Sequence, residues 1–415
     1  MTYEQVVEAA WRILPLLQEL LPPGQAEATA EKLVELLERS EEREPGVDDQ
    51  ILELLAEFDA SRVWMQTAIA PPRRVERSGQ FKVKKQQAEY VRVKILYATD
   101  RRPTGKNEPD NFYAGVRADD EKLSFGTCEV SIPKSHSRGY VETPAWHKFQ
   151  FKPDPHRHVV LLSVRPVGGD EFFRDVSGWV EQSEAKDTFV FLHGYRVTFE
   201  DAARRTAQLA YDLPFRGAPI LYSWPSRGRI LSYNRDEQEV EWTVPHLKQF
   251  LIDVAARTGA KQIHLIAHSM GNRALTAALK EMSLEGRKPA NFHHVVLTAP
   301  DIDAGVFKQL ASQVAGAAAR VTLYASKKDT ALWFSQRFHG YARAGDVGDG
   351  LVVLPYLDTV DASAVDTSFL GHSYFGNNRT VLSDIYSLLL GLLPAKRPDL
   401  EAVTAKVGNY WRFRR

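Results

Sequence analysis

One segment of the sequence constrains the fold more than any other. Residues 262–268 form a short apolar run that leads directly into Ser269-Met270-Gly271, and a helical pattern follows over residues 272–282. A buried strand that passes into a helix through so tight a turn is typical of a parallel sheet covered by helices. A serine in such a turn is predicted to project above the sheet edge, beside the positive end of the helix.

The surrounding chain extends this pattern, because short β-rich runs alternate with amphipathic stretches from residue 188 onward. Such alternation predicts an α/β fold with a mainly parallel central sheet and helices on both faces. The predicted strands are 188–193, 218–224, 262–268, 294–299, 320–325 and 351–357, and the predicted helices are 198–213, 237–258, 272–282 and 304–318. Three earlier strands are predicted at 91–97, 125–133 and 158–164.

The first 70 residues differ from the rest of the chain in apolar spacing and in charge. The first 70 residues show apolar side chains at helical spacing, which predicts a small all-α helical domain before the α/β part. Residues 1–60 carry fifteen acidic and four basic side chains in a chain of net charge zero, so a protein partner for this acidic module is one interpretation and a solvated surface is the other. The predicted boundaries are 1–70 for the helical module, 71–89 for a basic linker, 90–395 for the α/β domain (90–185 β-rich, 186–395 catalytic core) and 396–415 for a C-terminal tail.

Several classes of protein are disfavoured by the sequence. The single cysteine, Cys128, excludes an intramolecular disulfide. The apolar stretch at 386–393 is far shorter than the ~20 residues that span a bilayer, and residues 1–11 do not resemble a signal peptide. We therefore expect a cytoplasmic protein without stable membrane insertion. The basic tracts at 73–85 and 410–415 are short, so no nucleic-acid partner is expected, and the oligomeric state is left open.

A serine is a weak nucleophile unless a base activates it and an acid orients that base. Asp329 follows the predicted strand 320–325 and is the preferred acid, because the carboxyl ends of parallel strands meet at one edge. Asp301, Asp303 and Asp358 are alternatives. Capping of the helix that begins near residue 304 would explain the first two equally well.

The preferred base is His372, which lies in a loop after the last predicted strand and follows both the serine and the acid in the chain. Three other histidines fit less well. His264 lies within the strand that precedes Ser269. His268 is fixed by the tight turn at Ser269, which we call the elbow, and His339 precedes the last strand.

An apolar strand ends in His193-Gly194-Tyr195, where the donor loop of an oxyanion hole is expected. The backbone N–H groups of Tyr195 and Met270 are predicted to form that hole, with Gly194 allowing close approach to the substrate. The residues predicted to contact the substrate are Gly194, His268, Trp224, Trp333 and Phe334, although each aromatic ring could instead be part of the core. No metal-binding pattern or phosphate loop is present, so neither a metal nor another cofactor is expected.

Several short motifs together resemble those of a bacterial family of α/β hydrolases in the esterase/lipase superfamily that is described as a domain of unknown function. They are Leu96-Tyr97-Ala98-Thr99-Asp100-Arg101, Ser131-Ile132-Pro133, His193-Gly194-Tyr195, Ala267-His268-Ser269-Met270-Gly271 and Gly371-His372-Ser373. The resemblance covers residues 90–395 and implies the α/β-hydrolase fold with a Ser269, Asp329 and His372 triad. Ala267 departs from the usual first glycine of the elbow. The resemblance implies no particular substrate.

These observations predict a serine hydrolase that cleaves a carboxylic ester through an acyl-enzyme, with a lipid, a short acyl ester and a thioester all left open as substrates. Two different functions also fit the sequence. Residues 1–70 are similar in size and helical character to adaptor-like modules of bacterial conflict systems, which would make the chain a partner-regulated effector acting on lipid or acyl substrates. The second is that of a pseudoenzyme in which the helical module mediates protein interaction.

Overall fold

The computed structural model describes residues 90–143, 153–228, 233–287, 289, 291–327, 341–348, 351–365, 379–406 and 408–414, together with positions 32, 36 and 50. The chain divides into two compact units, Met1–Gln87 and Ala88–Arg415. In the first unit the three described positions are helical. The predicted helical module and linker otherwise lie outside the described residues and stay predictions.

The described part of the second unit contains thirteen strands and seven α-helices. The strands are β1 (Tyr90–Thr99), β2 (Arg101–Pro103), β3 (Tyr113–Arg117), β4 (Ser124–Pro133), β5 (Val160–Val167), β6 (Asp187–Leu192), β7 (Ala218–Ser223), β8 (Gln262–His268), β9 (Phe292–Thr298), β10 (Arg320–Ala325), β11 (Asp358–Asp361), β12 (Leu400–Ala405) and β13 (Gly408–Phe413). The helices are α1 (Gly169–Gln182), α2 (Phe199–Asp212), α3 (Tyr233–Trp242), α4 (Val244–Arg257), α5 (Gly271–Leu284), α6 (Ala304–Ala315) and α7 (Arg379–Leu389).

Eleven of the described strands form one sheet in the order β12-β13-β11-β10-β9-β8-β6-β7-β1-β4-β5. Neighbours from β1 through β7, β6, β8, β9, β10 and β11 to β13 run parallel, while β4, β5 and β12 pair antiparallel at the two sides. The mainly parallel α/β architecture predicted from the sequence is therefore confirmed.

Each face of the sheet packs against its own set of helices. In β6, Val190 and Leu192 join a cluster with α1, α3, α4, α5 and α6, whereas Phe189 and Phe191 join a second cluster with α2 and α7. This alternation follows from the two-residue period of a strand. Burial on both faces explains the continuous apolar runs, since full burial of a large apolar side chain contributes about 1.5–3 kcal/mol.

The predicted helix at 237–258 is two helices in the structure. Thr243 separates α3 from α4, and Pro245 lies in the first turn of α4. Proline lacks an N–H and is favoured at the start of a helix, where that N–H would have no intrahelical acceptor.

The predicted strand 351–357 is also wrong, because that segment is a loop that ends in a turn and β11 begins only at Asp358. Pro355 lies in the segment, and proline cannot donate to a β ladder. Asp358 thus begins a strand, pairs in register with Thr322 and forms an ion pair with Arg320.

The structure also differs from the predicted C-terminal tail. Residues Leu400–Ala405 and Gly408–Phe413 form an antiparallel pair, and β13 continues the sheet beside β11 through Val360 and Trp411. Phe413 and Leu400 are buried in the cluster that contains α7. The α/β domain therefore extends beyond residue 395 to the end of β13.

A buried histidine connects the loop after β4 to α2. The two ring nitrogens of His136 face two carboxylates: Nδ1 lies 2.9 Å from Glu142 Oε2, and Nε2 lies 2.9 Å from Asp212 Oδ1. Burial alone would lower the pKa of His136, but the hydrogen bonds to Asp212 and Glu142 outweigh it and raise the pKa to about 9. His136 is therefore an imidazolium near neutral pH, donating from both nitrogens.

We predict that the folded state loses stability as the pH rises between about 6.5, the ordinary histidine pKa in an unfolded chain, and about 9. The sign follows because the folded state retains a proton that the unfolded state has already released. A pKa difference of one corresponds to about 1.4 kcal/mol. Urea unfolding at pH 6 and pH 9.5 should show this loss in the wild type and a smaller loss in His136→Gln, while the exposed His156→Gln should follow the wild type. Equal pH dependence in His136→Gln would contradict the assignment.

Candidate active site

Ser269 occupies the turn between β8 and α5 with a left-handed backbone, at φ 48°. A residue with a side chain pays about 1–3 kcal/mol for such a conformation, so the surroundings must hold it in place. The Ser269 N–H donates to Thr298 O at 3.0 Å, and the Ser269 carbonyl accepts from the Asn272 amide side chain at 2.9 Å. Asn272 Nδ2 also donates to Thr298 O at 3.1 Å. The end of β9 thus fixes the elbow.

The loop after β6 packs directly against this elbow. A Cβ added at Gly194 would lie 2.9 Å from the Cβ of Ser269 and 2.8 Å from Nδ1 of His268, closer than real side chains approach. A Cβ added at Gly271 would collide with the carbonyl oxygen of His193. Both glycines are therefore required by close backbone approach. Ala267 is fully buried, so its extra methyl group is accommodated.

The predicted oxyanion donors lie on the two sides of this contact. Met270 is the N-cap residue of α5, so its backbone begins the helix terminus where partial positive charge is concentrated. Tyr195 directly follows Gly194, and its ring packs edge-on against Tyr233 at 5.2 Å between centroids. Both residues thus belong to segments that meet at Ser269.

Arg101 is hydrogen-bonded to the loop that follows β6. The sequence gave this residue no role beyond its place in the family motif. Its guanidinium donates to Val197 O at 2.8 Å, Ser226 O at 2.7 Å and Ser223 Oγ at 2.9 Å. Nη2 also lies 3.2 Å from Nε2 of His193. Burial lowers the pKa of Arg101 to about 10, which leaves it charged at neutral pH.

Trp224 does not line an open pocket in this structure, contrary to its predicted role in substrate binding. Its side chain is fully buried, stacks on His193 at 5.0 Å between ring centroids, and donates from Nε1 to His193 O at 2.8 Å. Trp224 is therefore a core residue that fixes the position of the donor loop. His268 is partly exposed beside Gly194.

Asp301, which the sequence offers as a possible triad acid, is engaged in an ion-pair network. Its carboxylate lies 3.4 Å from Arg343 and 3.6 Å from Arg273, and it accepts from the Tyr233 hydroxyl at 2.6 Å. The Asp301 N–H lies 3.3 Å from Ser269 O, so this network also supports the elbow.

Asp303 and Asp358 also have structural roles. Asp303 is the N-cap of α6, accepting from the Val306 N–H at 2.8 Å. Asp358 lies at the amino end of β11, whereas Ser269 follows the carboxyl end of β8. Because these strands run parallel, the two residues lie at opposite ends of the strands. This placement excludes Asp358 as the acid. Asp329, His372, His339, Trp333 and Phe334 lie outside the described residues.

The elbow, the predicted acid and the predicted base follow one another along the chain. The elbow follows β8, residue 329 comes shortly after β10, and residue 372 comes after β11. In the sheet β8, β9, β10 and β11 are consecutive parallel neighbours, so their carboxyl ends lie on the same side. The positions of residues 329 and 372 stay predictions.

Comparison with known proteins identifies the family. Residues 170–389, more than half of the chain, match the family described as "Alpha/beta hydrolase of unknown function (DUF900)". The chain belongs to this family. The membership confirms the α/β-hydrolase fold and the family resemblance inferred from the motifs.

More distant similarities accompany this DUF900 match. An uncharacterized Nostoc protein, alr1448, is 28% identical over 75 residues, covering 18% of this chain and 20% of that protein, so the chain matches about a fifth of the length of this curated relative. A protein of Lactobacillus plantarum assigned as a cell surface hydrolase is 14% identical, with a TM-score of 0.32, over 51% of this chain and 94% of its own. Phospholipase PlaB of Legionella pneumophila is 15% identical, with a TM-score of 0.31, over 55% and 67%. At these TM-scores neither structure informs the function.

Among the helices that the structure describes, none combines the length and apolar character needed to cross a bilayer.

Proposed function

We propose that this DUF900 protein is a serine esterase that acts through an acyl-enzyme on Ser269. The observation that carries the proposal is the left-handed Ser269 at the junction of β8 and α5, with the Gly194 loop in direct contact. Strain held at one polar residue in a packed environment is typical of functional sites.

The proposed mechanism assigns one role to each predicted residue. His372 removes the proton from the Ser269 hydroxyl as its oxygen attacks the ester carbonyl, and the Tyr195 and Met270 N–H groups stabilise the oxyanion. His372 then protonates the departing alcohol. Asp329 orients the imidazole and stabilises its protonated form. Water, activated by His372, releases the acid and restores Ser269.

The proposed substrates are acyl esters, small or lipid. Their apolar part would lie near Trp333 and Phe334, and the ester would lie over Gly194 and beside His268. A site built from a serine and backbone donors needs no metal for this chemistry.

A fluorophosphonate probe tests the proposal on the full chain. We expect covalent labelling of Ser269, mapped by peptide mass spectrometry, and protection from labelling by a chromogenic acyl ester that the protein hydrolyses. A series of acyl lengths would then rank small against lipid-like substrates. Absence of labelling in folded protein, or labelling at another serine, would reject the proposal.

The triad acid can be tested by paired substitutions. We expect Asp329→Asn to lower kcat by about 10³- to 10⁴-fold, because the base loses its orientation and charge stabilisation. Asp301→Asn should instead lower the melting temperature by weakening the ion pairs with Arg273 and Arg343, with kcat of the folded protein changed less than about tenfold. Asp303→Asn is the control, because asparagine also caps helices. Loss of kcat in Asp301→Asn but not in Asp329→Asn would move the acid to Asp301.

A further inference from the structure

A β-bulge brings three histidines together near the amino ends of β8 and β9. Ile263 pairs with Phe292 and His264 pairs with His294, so His293 is an extra residue on β9 without a counterpart on β8. Bulges of this kind redirect side chains and are common next to functional sites. Ser269 lies five positions after His264, which places the cluster about 16 Å from the elbow along the strand.

The three imidazoles are in mutual contact. Their ring centroids lie 4.4 Å apart for His293 and His294, 5.3 Å for His264 and His294, and 5.7 Å for His264 and His293. One nitrogen from each ring lies within 4.8 Å of the other two. His264 and His294 are each 1% exposed, whereas His293 is partly exposed and offers a route to solvent.

Four of the six ring nitrogens in this cluster are buried without a hydrogen-bond partner among the described residues. Among the described residues, no hydrogen-bond partner lies within reach of Nδ1 of His264 or His293, nor of either nitrogen of His294. Leaving a buried donor or acceptor unsatisfied costs about 1–3 kcal/mol, so four such atoms in one place favour a ligand.

We propose that His264, His293 and His294 form a binding site for a divalent transition metal, with Zn²⁺ as the preferred ion. Three imidazoles without a thiolate suit this ion, and a fourth position on the His293 side is open to water. Tetrahedral coordination at about 2.0–2.1 Å puts ligand nitrogens about 3.4 Å apart. Binding therefore requires the ligand nitrogens to converge by up to about 1.4 Å.

Two arginines also face the cluster and oppose a cation. Burial lowers the pKa of His293 and His294, Arg320 lowers both further, and Arg397 lowers that of His294. Each arginine is paired with a carboxylate: Arg320 with Asp358, and Arg397 with Asp384 at 3.0 Å. These carboxylates offset the arginine charges near the site. The bound ion would join β8 to β9 near their amino ends, whereas Ser269 lies at the carboxyl end of β8. This site is therefore independent of the proposed esterase chemistry.

Zinc binding can be measured on the full, untagged chain after dialysis against a chelator. We expect one Zn²⁺ per chain by calorimetry, a higher melting temperature with Zn²⁺, and visible absorption from Co²⁺ in a nitrogen-rich four-coordinate site. His293→Ala changes the most exposed ligand and is the variant most compatible with folding. Loss of an outer-shell partner already costs 10–100-fold in metal affinity, so loss of this ligand should cost at least about 100-fold.

Two control variants separate this site from other histidines. His156→Ala removes an exposed histidine, and His372→Ala removes the proposed catalytic base; both should retain one Zn²⁺ with wild-type affinity. Folding of every variant is checked by circular dichroism. Binding that survives in folded His293→Ala, binding that disappears in His372→Ala, or no stoichiometric binding by the wild type would each overturn the proposal.

Discussion

Replacing Ser269 by alanine is expected to lower kcat for a chromogenic ester by about 10⁴- to 10⁶-fold. The variant loses the oxygen that attacks the carbonyl, so neither His372 nor Asp329 has a nucleophile to activate. Residual rate above water would come from oxyanion donors and substrate binding alone. The backbone contacts of Ser269 with Thr298 and Asn272 do not involve the hydroxyl, so we expect the melting temperature to change by only a few degrees.

Steady-state kinetics and thermal unfolding of the same preparation measure both parts of this prediction. Ser312→Ala, an exposed serine on α6, is the matched control and should keep wild-type kcat. Activity close to wild type in folded Ser269→Ala would show that the elbow serine is not the nucleophile. A large fall in melting temperature would show that the hydroxyl itself stabilises the turn.

The second large effect is expected for Arg101→Met, which retains much of the side-chain volume but removes five N–H donors. The carbonyls of Val197 and Ser226 and the hydroxyl of Ser223 would lose buried, charge-assisted bonds. Each buried acceptor left without its donor costs about 1–3 kcal/mol of stability. We therefore expect a clear fall in the urea concentration at half-unfolding.

Activity should report the same change separately from stability. The loop that contains Gly194 and Tyr195 would lose its hydrogen bond from Arg101 to Val197. A shift of about 1 Å in a catalytic group can lower the reaction rate about 100-fold. We expect kcat per folded molecule, counted by fluorophosphonate titration, to fall about 10- to 100-fold. Arg101→Lys should recover stability only in part, because lysine keeps the charge without the planar guanidinium geometry.

Arg102 provides a matched control on the neighbouring residue. Its side chain is half exposed and lies 3.7 Å from Asp119, an exposed pair that contributes little. Arg102→Met should keep both stability and kcat. Normal kcat in folded Arg101→Met would show that the loop does not depend on Arg101 for its position.

The central strands could be predicted from sequence because their signals are local. Residues 262–268 and 320–325 match β8 and β10, since each is an apolar run bounded by polar or turn residues. The elbow was predicted for the same reason: the strand, the serine and the helix follow one another within twenty residues. The direct contact between Gly194 and Ser269 was not predicted, because it joins two segments that lie 75 positions apart in the chain.

Features that depend on distant contacts were missed. Arg101 donates to Ser223 and Ser226, more than 120 positions later, and no local pattern marks such a partner. The histidine cluster depends on a one-residue register shift between β8 and β9, which places His293 and His294 near His264. Strand periodicity alone would send consecutive side chains to opposite faces.

The antiparallel pair β12 and β13 has a consequence for self-association. Among the described strands β12 is the outermost on its side of the sheet, and an outer strand can template pairing with another molecule. Glu401 on β12 forms a half-exposed ion pair with Arg412 on β13, and charged side chains disfavour such pairing. Without these two strands β11 would become the open edge and would expose the apolar surface now covered by Leu400 and Phe413. The last strands of the sheet thus protect the fold against edge-to-edge aggregation.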